Sequence, residues 1–190
     1  LGAQGEQPLR ENTAPNPRPP SAVPKLAAEF FVRSIGDLWG IDTVSLRVFN
    51  AYGPGQHLPP SHAPVIPNYL RQVMRGGTLV MHGDGLQTRD YVFVDDVVSA
   101  MISAATAPDI DNLVINIGSG TETSIRDLIK LIMEVTGVKT DAIFNHRTDP
   151  GVSRMRADLN LAKEKLGFQP RFSLADGLRL TIDRDIRFKR

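Results

Sequence analysis

The sequence predicts an α/β fold in which helices cover a mainly parallel sheet, and three observations carry that expectation. Short β-rich apolar runs alternate with longer segments of helical period, the pattern that crossover connections between parallel strands produce. Gly40, Tyr52-Gly53-Pro54-Gly55 and Gly83-Asp84-Gly85 fall between the runs, and no internal repeat interrupts the order. Composition is that of a globular chain: 190 residues, 41% hydrophobic, and charges of both signs balanced to a formal +1. That length supports one sizeable core, or one core with a small appended lobe.

Residues 1–20 hold Pro8, Pro15, Pro17, Pro19 and Pro20 among polar neighbours and read as an extended loop that builds no core. From Ala22 to about Trp39 the apolar positions Leu26, Phe30, Phe31, Ile35 and Leu38 recur at helical steps, and Gly40 stops the helix. Val44 to Phe49 reads as a short buried strand, followed by a loop over 50–64 at a strand end, where α/β folds often place ligand contacts. Val65 to Arg75 reads as helix. Leu79–Met81 and Tyr91–Val94 read as two strands around a glycine-rich turn. Asp95 or Asp96 then offers a cap for a helix over Val97–Ala105, with catalysis the other use of such carboxylates. Leu113–Ile117 reads as strand, and Ser124-Ile125-Arg126-Asp127 as a capping pattern opening a helix to about Thr136. The last two helices are expected to start near Asp158 and Ser173, with Gly167 ending the first of them.

Several function classes lack support. A net charge of +1 gives no basic field for nucleic acid. No apolar run approaches the roughly 20 residues of a membrane span. The absence of cysteine removes disulfide and thiolate chemistry and fits the cytoplasm. His57, His62, His82 and His146 are scattered, so no metal site is expected. No G-x-S-x-G elbow is present for a serine nucleophile. Gly118-Ser119-Gly120 comes closest to a dinucleotide motif but lacks the third glycine and the strand–turn–helix setting.

What remains is polar chemistry at predicted strand ends. Arg89 lies in Gly83-Asp84-Gly85-Leu86-Gln87-Thr88-Arg89-Asp90-Tyr91, and Asn50 follows Phe49. A guanidinium fork suits a diphosphate because it donates two parallel charge-assisted hydrogen bonds, and an asparagine amide donates to phosphate or sugar oxygens. The alternative for Arg89 is a surface pair with Asp90 or Asp95.

Read together, four phrases resemble the extended short-chain dehydrogenase/reductase family, specifically its nucleotide-sugar epimerases and dehydratases. They are Ser45–Gln56 (an Arg-x-Phe-Asn-x-Tyr-Gly-Pro segment), His82–Asp96, Asn116–Gly120, and Ala157-Asp158 with Leu166-Gly167-Phe168-Gln169-Pro170. The resemblance covers nearly the whole chain. It implies the C-terminal part of a Rossmann-type doubly wound sheet plus a small substrate-binding α/β lobe. Residues 21–64 would end the Rossmann-type domain and 65–190 would form mainly the lobe, with 78–117 returning strands and a helix to the sheet.

The resemblance also implies site roles. Lys25 stands where the family's Tyr-x-x-x-Lys lysine holds the nicotinamide ribose of NAD and lowers the tyrosine pKa. Ser21 occupies the tyrosine position, so the proton-transfer group is missing, and Pro24 in the same stretch is tolerable only in a helix's first turn. Phe49 is expected beside the nicotinamide, Asn50 at the substrate phosphates, Val65, Ile66 and Pro67 around the nucleotide base, and Arg89 on the diphosphate. A second phosphate arginine is expected before Asp158, where Arg147, Arg154 and Arg156 compete and Arg154 is preferred. Leu1-Gly2 would follow the strand bearing the catalytic Ser or Thr, so that strand and the glycine-rich NAD site would lie outside this sequence. The helix over 22–39 resembles one that joins a homodimer interface. Expected function is thus the substrate-binding part of an NAD-dependent epimerase of UDP- or dTDP-sugars, inactive alone, with a 4,6-dehydratase or decarboxylase as the alternative within the family. The alternative outside it is a non-catalytic, degenerate binding domain.

Overall fold

The computed structural model describes residues 6–17, 20–59, 63–145 and 153–189. Leu1-Gly2, Pro19, His62, His146 and Arg147 lie outside the described residues.

Strands β1 (Val44–Val48), β2 (Asn50–Tyr52), β3 (Leu79–His82), β4 (Thr88–Arg89), β5 (Tyr91–Phe93), β6 (Leu113–Ile117), β7 (Thr123–Ser124) and β8 (Ala142–Asn145) alternate with helices α1 (Ala22–Trp39), α2 (Val65–Met74), α3 (Val94–Thr106), α4 (Ile125–Thr136), α5 (Asn160–Leu166) and α6 (Leu174–Arg184). The expected α/β class holds. Three strand pairs are parallel, β1–β6, β2–β5 and β3–β8, while β4–β7 is antiparallel.

Two apolar clusters organise these elements. One gathers Ile115 and Ile117 of β6, Val97 and Ala100 of α3, and Ala162 and Leu166 of α5. The other gathers Leu79 and Met81 of β3, Tyr91 and Phe93 of β5, and the inward faces of α2, α4 and α6. Strands β2 and β5 serve both clusters, with Ala51 and Val92 packed with the first and Tyr52, Tyr91 and Phe93 with the second.

Local signals explain most boundaries. Ser124 accepts the Asp127 N–H and opens α4, and Ser173 accepts the Asp176 N–H and opens α6. Gly40 ends α1 and Gly167 ends α5 at positive φ, where a side chain would be strained. Pro24 sits in the first turn of α1, where its missing N–H costs nothing.

Other expectations are corrected. The two strands expected around the glycine-rich turn are present, with Val94 opening α3 in place of ending the second; they pair apart, β3 with β8 and β5 with β2, and Gly83 and Gly85 between them are both at positive φ. The stretch after β1 is not all loop, since Asn50–Tyr52 is itself a strand. Neither Asp95 nor Asp96 caps α3, which begins at Val94. Asp95 pairs with Arg184, and buried Asp96 accepts the Arg171 and Phe172 N–H groups. The proline-rich beginning does reach a core: Leu9 is 1% exposed and bridges in parallel to Ala157. Apart from these corrections, the apolar stripe of α1 lies on an outward face, as its resemblance to an interface helix implies, with Phe31 69% and Trp39 70% exposed.

Candidate functional site

The site is built around the short segment Thr88–Tyr91. Asp90 is fully buried, and its carboxylate accepts the Ser119 N–H at 2.6 Å, the Ser119 hydroxyl at 2.8 Å, the Gly120 N–H at 3.0 Å and the Ala157 N–H at 2.9 Å. Burial pushes this carboxyl above its ordinary range, against the opposing pull of those four donors. Asp90 thereby ties β4 and β5 to the loop after β6 and to the strand-like stretch before α5. The same bonds occupy the Ser119 and Gly120 N–H groups, so the Gly118–Gly120 loop offers no nest for a phosphate. Gly118 is required by space: a Cβ there would lie 2.8 Å from both Ala157 Cβ and Asp90 Oδ2.

Two expected ligand residues, Asn50 and Arg154, meet this segment, which itself bears a third, Arg89. The backbone N–H and the side-chain amide of Asn50 both donate to the Asp90 carbonyl, at 3.0 and 3.1 Å, and the same amide lies 3.7 Å from Met155 Sδ. Arg89 is half-buried, with Nη1 donating to the Thr88 carbonyl at 2.7 Å. Burial presses its guanidinium below its ordinary value; Arg nonetheless stays charged. A partly dehydrated cation of this kind gains more from an anionic ligand than a fully hydrated one. Arg154 reaches the segment from the other side: the Thr88 N–H donates to the Ser153 carbonyl at 2.9 Å, and the Arg154 fork clasps Glu122, which also accepts the Thr88 hydroxyl at 2.8 Å. The surface alternative for Arg89 finds no support in its expected partners, since Asp90 is committed to the loop donors and Asp95 to Arg184.

A cleft of about 630 Å³ adjoins this cluster, between α1 and β1. It brings Lys25 and Phe49 together, with Glu29, Arg47 and Met155 among its walls. Met155 belongs to both places, facing the cleft and touching Asn50. Arg47 holds Glu29 through two 2.8 Å bonds and the Glu11 carbonyl through a third at 2.9 Å, which fixes α1 against β1. Ser21 stands exposed at the start of α1, without a capping bond.

At the opening of α2, Ile66 and Pro67 are buried, Ile66 within the second apolar cluster, while Val65 is half-buried. Packing therefore claims Ile66, and Val65 is the member of the three with surface to offer. Among the described residues no group of His, Asp or Glu is arranged to hold a metal ion, and no helix is long and apolar enough to cross a membrane.

Sequence reasoning missed Asp90, Glu122 and Met155. Asp90 was legible as part of the Arg-Asp-Tyr phrase, but nothing local shows that its partners lie at 119–120 and 157. Glu122 stands two residues before the Ser124 cap and reads there as a solvated charge.

The parallel pairs and the helices that cover them define a Rossmann-type α/β protein, with the polar groups described above gathered at a strand junction. More particularly, the model of the NAD dependent epimerase/dehydratase family matches residues 1–118, and the chain belongs to that family. It is 35% identical over 182 residues to UDP-glucose 4-epimerase of Mycolicibacterium smegmatis, covering 96% of this chain and 58% of the relative. The crystal structure of Thermotoga maritima UDP-glucose 4-epimerase with UDP-glucose superposes with a TM-score of 0.89 at 34% identity, covering 96% of this chain and 58% of that one. UDP-glucuronic acid 4-epimerase of Bacillus cereus, solved with UDP-glucuronic acid and NAD, superposes with a TM-score of 0.86 at 30% identity, covering 96% and 57%. The chain thus spans less than two thirds of the length of these relatives.

Proposed function

We propose that this chain is the substrate-binding part of an NAD-dependent nucleotide-sugar epimerase, taking a UDP- or dTDP-sugar through its diphosphate. The observation that carries this reading is the meeting of Asn50 and Arg154, distant in sequence, with the Thr88–Tyr91 segment that bears Arg89. Arg89 grips the diphosphate, Asn50 donates to phosphate or sugar oxygens, and Arg154 adds a second guanidinium. Val65, with Ile66 and Pro67 packed behind it, faces the base. In this reading residues 21–64 close the Rossmann-type domain, residues 65–190 supply mainly the lobe, and the outward face of α1 serves a homodimer.

The residues fit NAD only at its nicotinamide end. Lys25 and Phe49 offer a cation and an aromatic wall in one cleft, while the one glycine-containing loop that resembles a dinucleotide motif has turned its N–H groups to Asp90. When bound there, NAD would supply hydride-transfer chemistry for the sugar C4, as the family resemblance implies. The group that would move the hydroxyl proton, a tyrosine phenol, is Ser21 here, and a serine hydroxyl has neither its pKa nor its reach. This chain's share is therefore binding, without turnover.

Calorimetric titration with UDP, dTDP, UDP-glucose and NAD tests the reading. The expected result is binding of the uridine or thymidine diphosphates that is lost in Arg89→Ala, with no binding of NAD. A folded chain that binds none of the diphosphates, or an Arg89→Ala variant that binds them unchanged, overturns it.

A further inference from the structure

We infer that the cleft between α1 and β1 is a seat for one further β-strand, supplied by a separate polypeptide that pairs with the outer edge of β1. The lining of the cleft follows an edge and not a face. Successive side chains of a strand point to opposite faces, and here Val44 and Leu46 pack with the first apolar cluster while Arg47 reaches Glu29 on α1. Yet the cleft touches every residue from Val44 to Phe49. On α1 it touches Ala22, Lys25, Leu26, Glu29 and Val32, which share one helical face.

Backbone hydrogen-bonding groups lie along the same edge. Among the described residues β1 pairs with β6 alone. In a parallel pair alternate residues turn both N–H and C=O to the partner. The Phe49 N–H donates to Ile117, so Ser45 and Arg47 share its side, and Leu46 and Val48 turn their backbone groups to the cleft.

Size and chemistry select the occupant. With strands about 4.8 Å apart, a layer about 10 Å deep and a rise of about 3.3 Å, one strand residue fills roughly 160 Å³. A cleft of about 630 Å³ therefore holds about four, close to the five residues of β1. It has no room for the covering helix that the β1 of a second copy would bring with it. Val32 and Val48, 44% and 39% exposed, are the apolar surface that such a strand covers. Arg47 and Glu29 neutralise one another, while Lys25 has no ion pair among the described residues. α1 runs against the direction of β1, with Gly36 beside Thr43 and Glu29 beside Arg47, so Lys25 and Phe49 mark the end where a strand parallel to β1 finishes. The complement is thus an apolar strand that continues the parallel pair and carries a carboxylate at its C-terminal end. This inference does not rest on the diphosphate reading, which concerns Arg89.

Backbone amide mapping of the full chain with a blocked heptapeptide, acetyl-Lys-Thr-Val-Val-Ala-Val-Asp-amide, tests it. Shifts are expected at Ala28, Val32, Leu46 and Val48, half-complete near about 1 mM peptide, with slower hydrogen exchange at Leu46 and Val48. Two N-methylated peptides, blocked at alternate residues, separate pairing from apolar filling. One is expected to lose binding by about tenfold or more and the other to keep it, because only one set of its N–H groups faces β1. Val48→Pro removes a donor on the outer edge, where proline is tolerated, and is expected to abolish binding with the β6 side of the ladder intact. Equal loss with both methylated peptides, or no shift along β1 up to about 5 mM peptide, overturns the inference. Shifts at Leu46 and Val48 that grow with protein concentration alone assign the edge to a second copy, and the same shifts with NAD assign the cleft to a dinucleotide; either result also overturns it.

Discussion

Gly118→Ala puts the packing around Asp90 to a direct test. The added methyl would meet Ala157 Cβ and Asp90 Oδ2, each 2.8 Å away, and Asp90 Cγ at 3.1 Å. Ordinary contact needs several tenths of an ångström more on both sides, and neither neighbour is the free end of a flexible chain. Ala157 is held by its N–H bond to Asp90 at 2.9 Å and by its parallel bridge to Leu9, and Asp90 Oδ2 also holds the Gly120 N–H. Relief therefore has to stretch hydrogen bonds to a buried carboxylate or displace the strand-like stretch before α5. Overpacking a tight interior site by one methyl costs roughly 1–3 kcal/mol, and with a urea dependence of about 2 kcal/mol per molar for a chain of this size the midpoint should fall by about 1 M. Urea denaturation followed by far-ultraviolet circular dichroism measures the shift. An unchanged slope with a midpoint within about 0.2 M of the parent would refute the reasoning, since the site would then have slack that the geometry denies.

Two further perturbations probe other ties. Arg47→Ala removes the partner of Glu29 from a pair whose side chains are 17% and 15% exposed, and frees the Glu11 carbonyl; a loss of about 2–3 kcal/mol should lower the thermal midpoint by roughly 6–9 °C. A change under 2 °C would show that α1 is held by apolar contact alone. Asp185, gripped by Arg187 and by the Gly55 N–H, has its carboxyl held well below the ordinary range. Its folded value lies below its unfolded one, so its stabilising contribution is full above about pH 4 and is lost as pH falls through that value toward the folded one. Asp185→Asn should therefore flatten the acid limb of the stability profile, and an unaltered limb would assign the acid sensitivity elsewhere.

Helices and their caps were legible because their signals are local. The limits of α1, the Ser124 and Ser173 caps and the Gly167 stop all depend on residues within a turn or two of one another. Strand partners were not, since pairing depends on what arrives from elsewhere in the chain. β3 and β5 were legible as strands around a glycine-rich turn, but the partner of β3 is β8, which leaves Ile143 and Phe144 exposed without the alternation that announces a strand. Leu9, alone among prolines and polar residues, carries no period at all, and its burial follows from backbone bonds to Arg156 and Asp158. The candidate site divides the same way. Arg89 and Asn50 were visible as charge and amide at strand ends, whereas Asp90 and Glu122 act through partners about 30 to 67 residues away.

The most direct test of the diphosphate assignment is backbone amide mapping of the isotope-labelled chain during titration with UDP. The account predicts the largest shifts at Asn50, Val65, Ile66, Arg89 and Arg154, with Lys25 little changed. Shifts confined to the cleft between α1 and β1, at Lys25 and Phe49, with Arg89 unmoved, would contradict it.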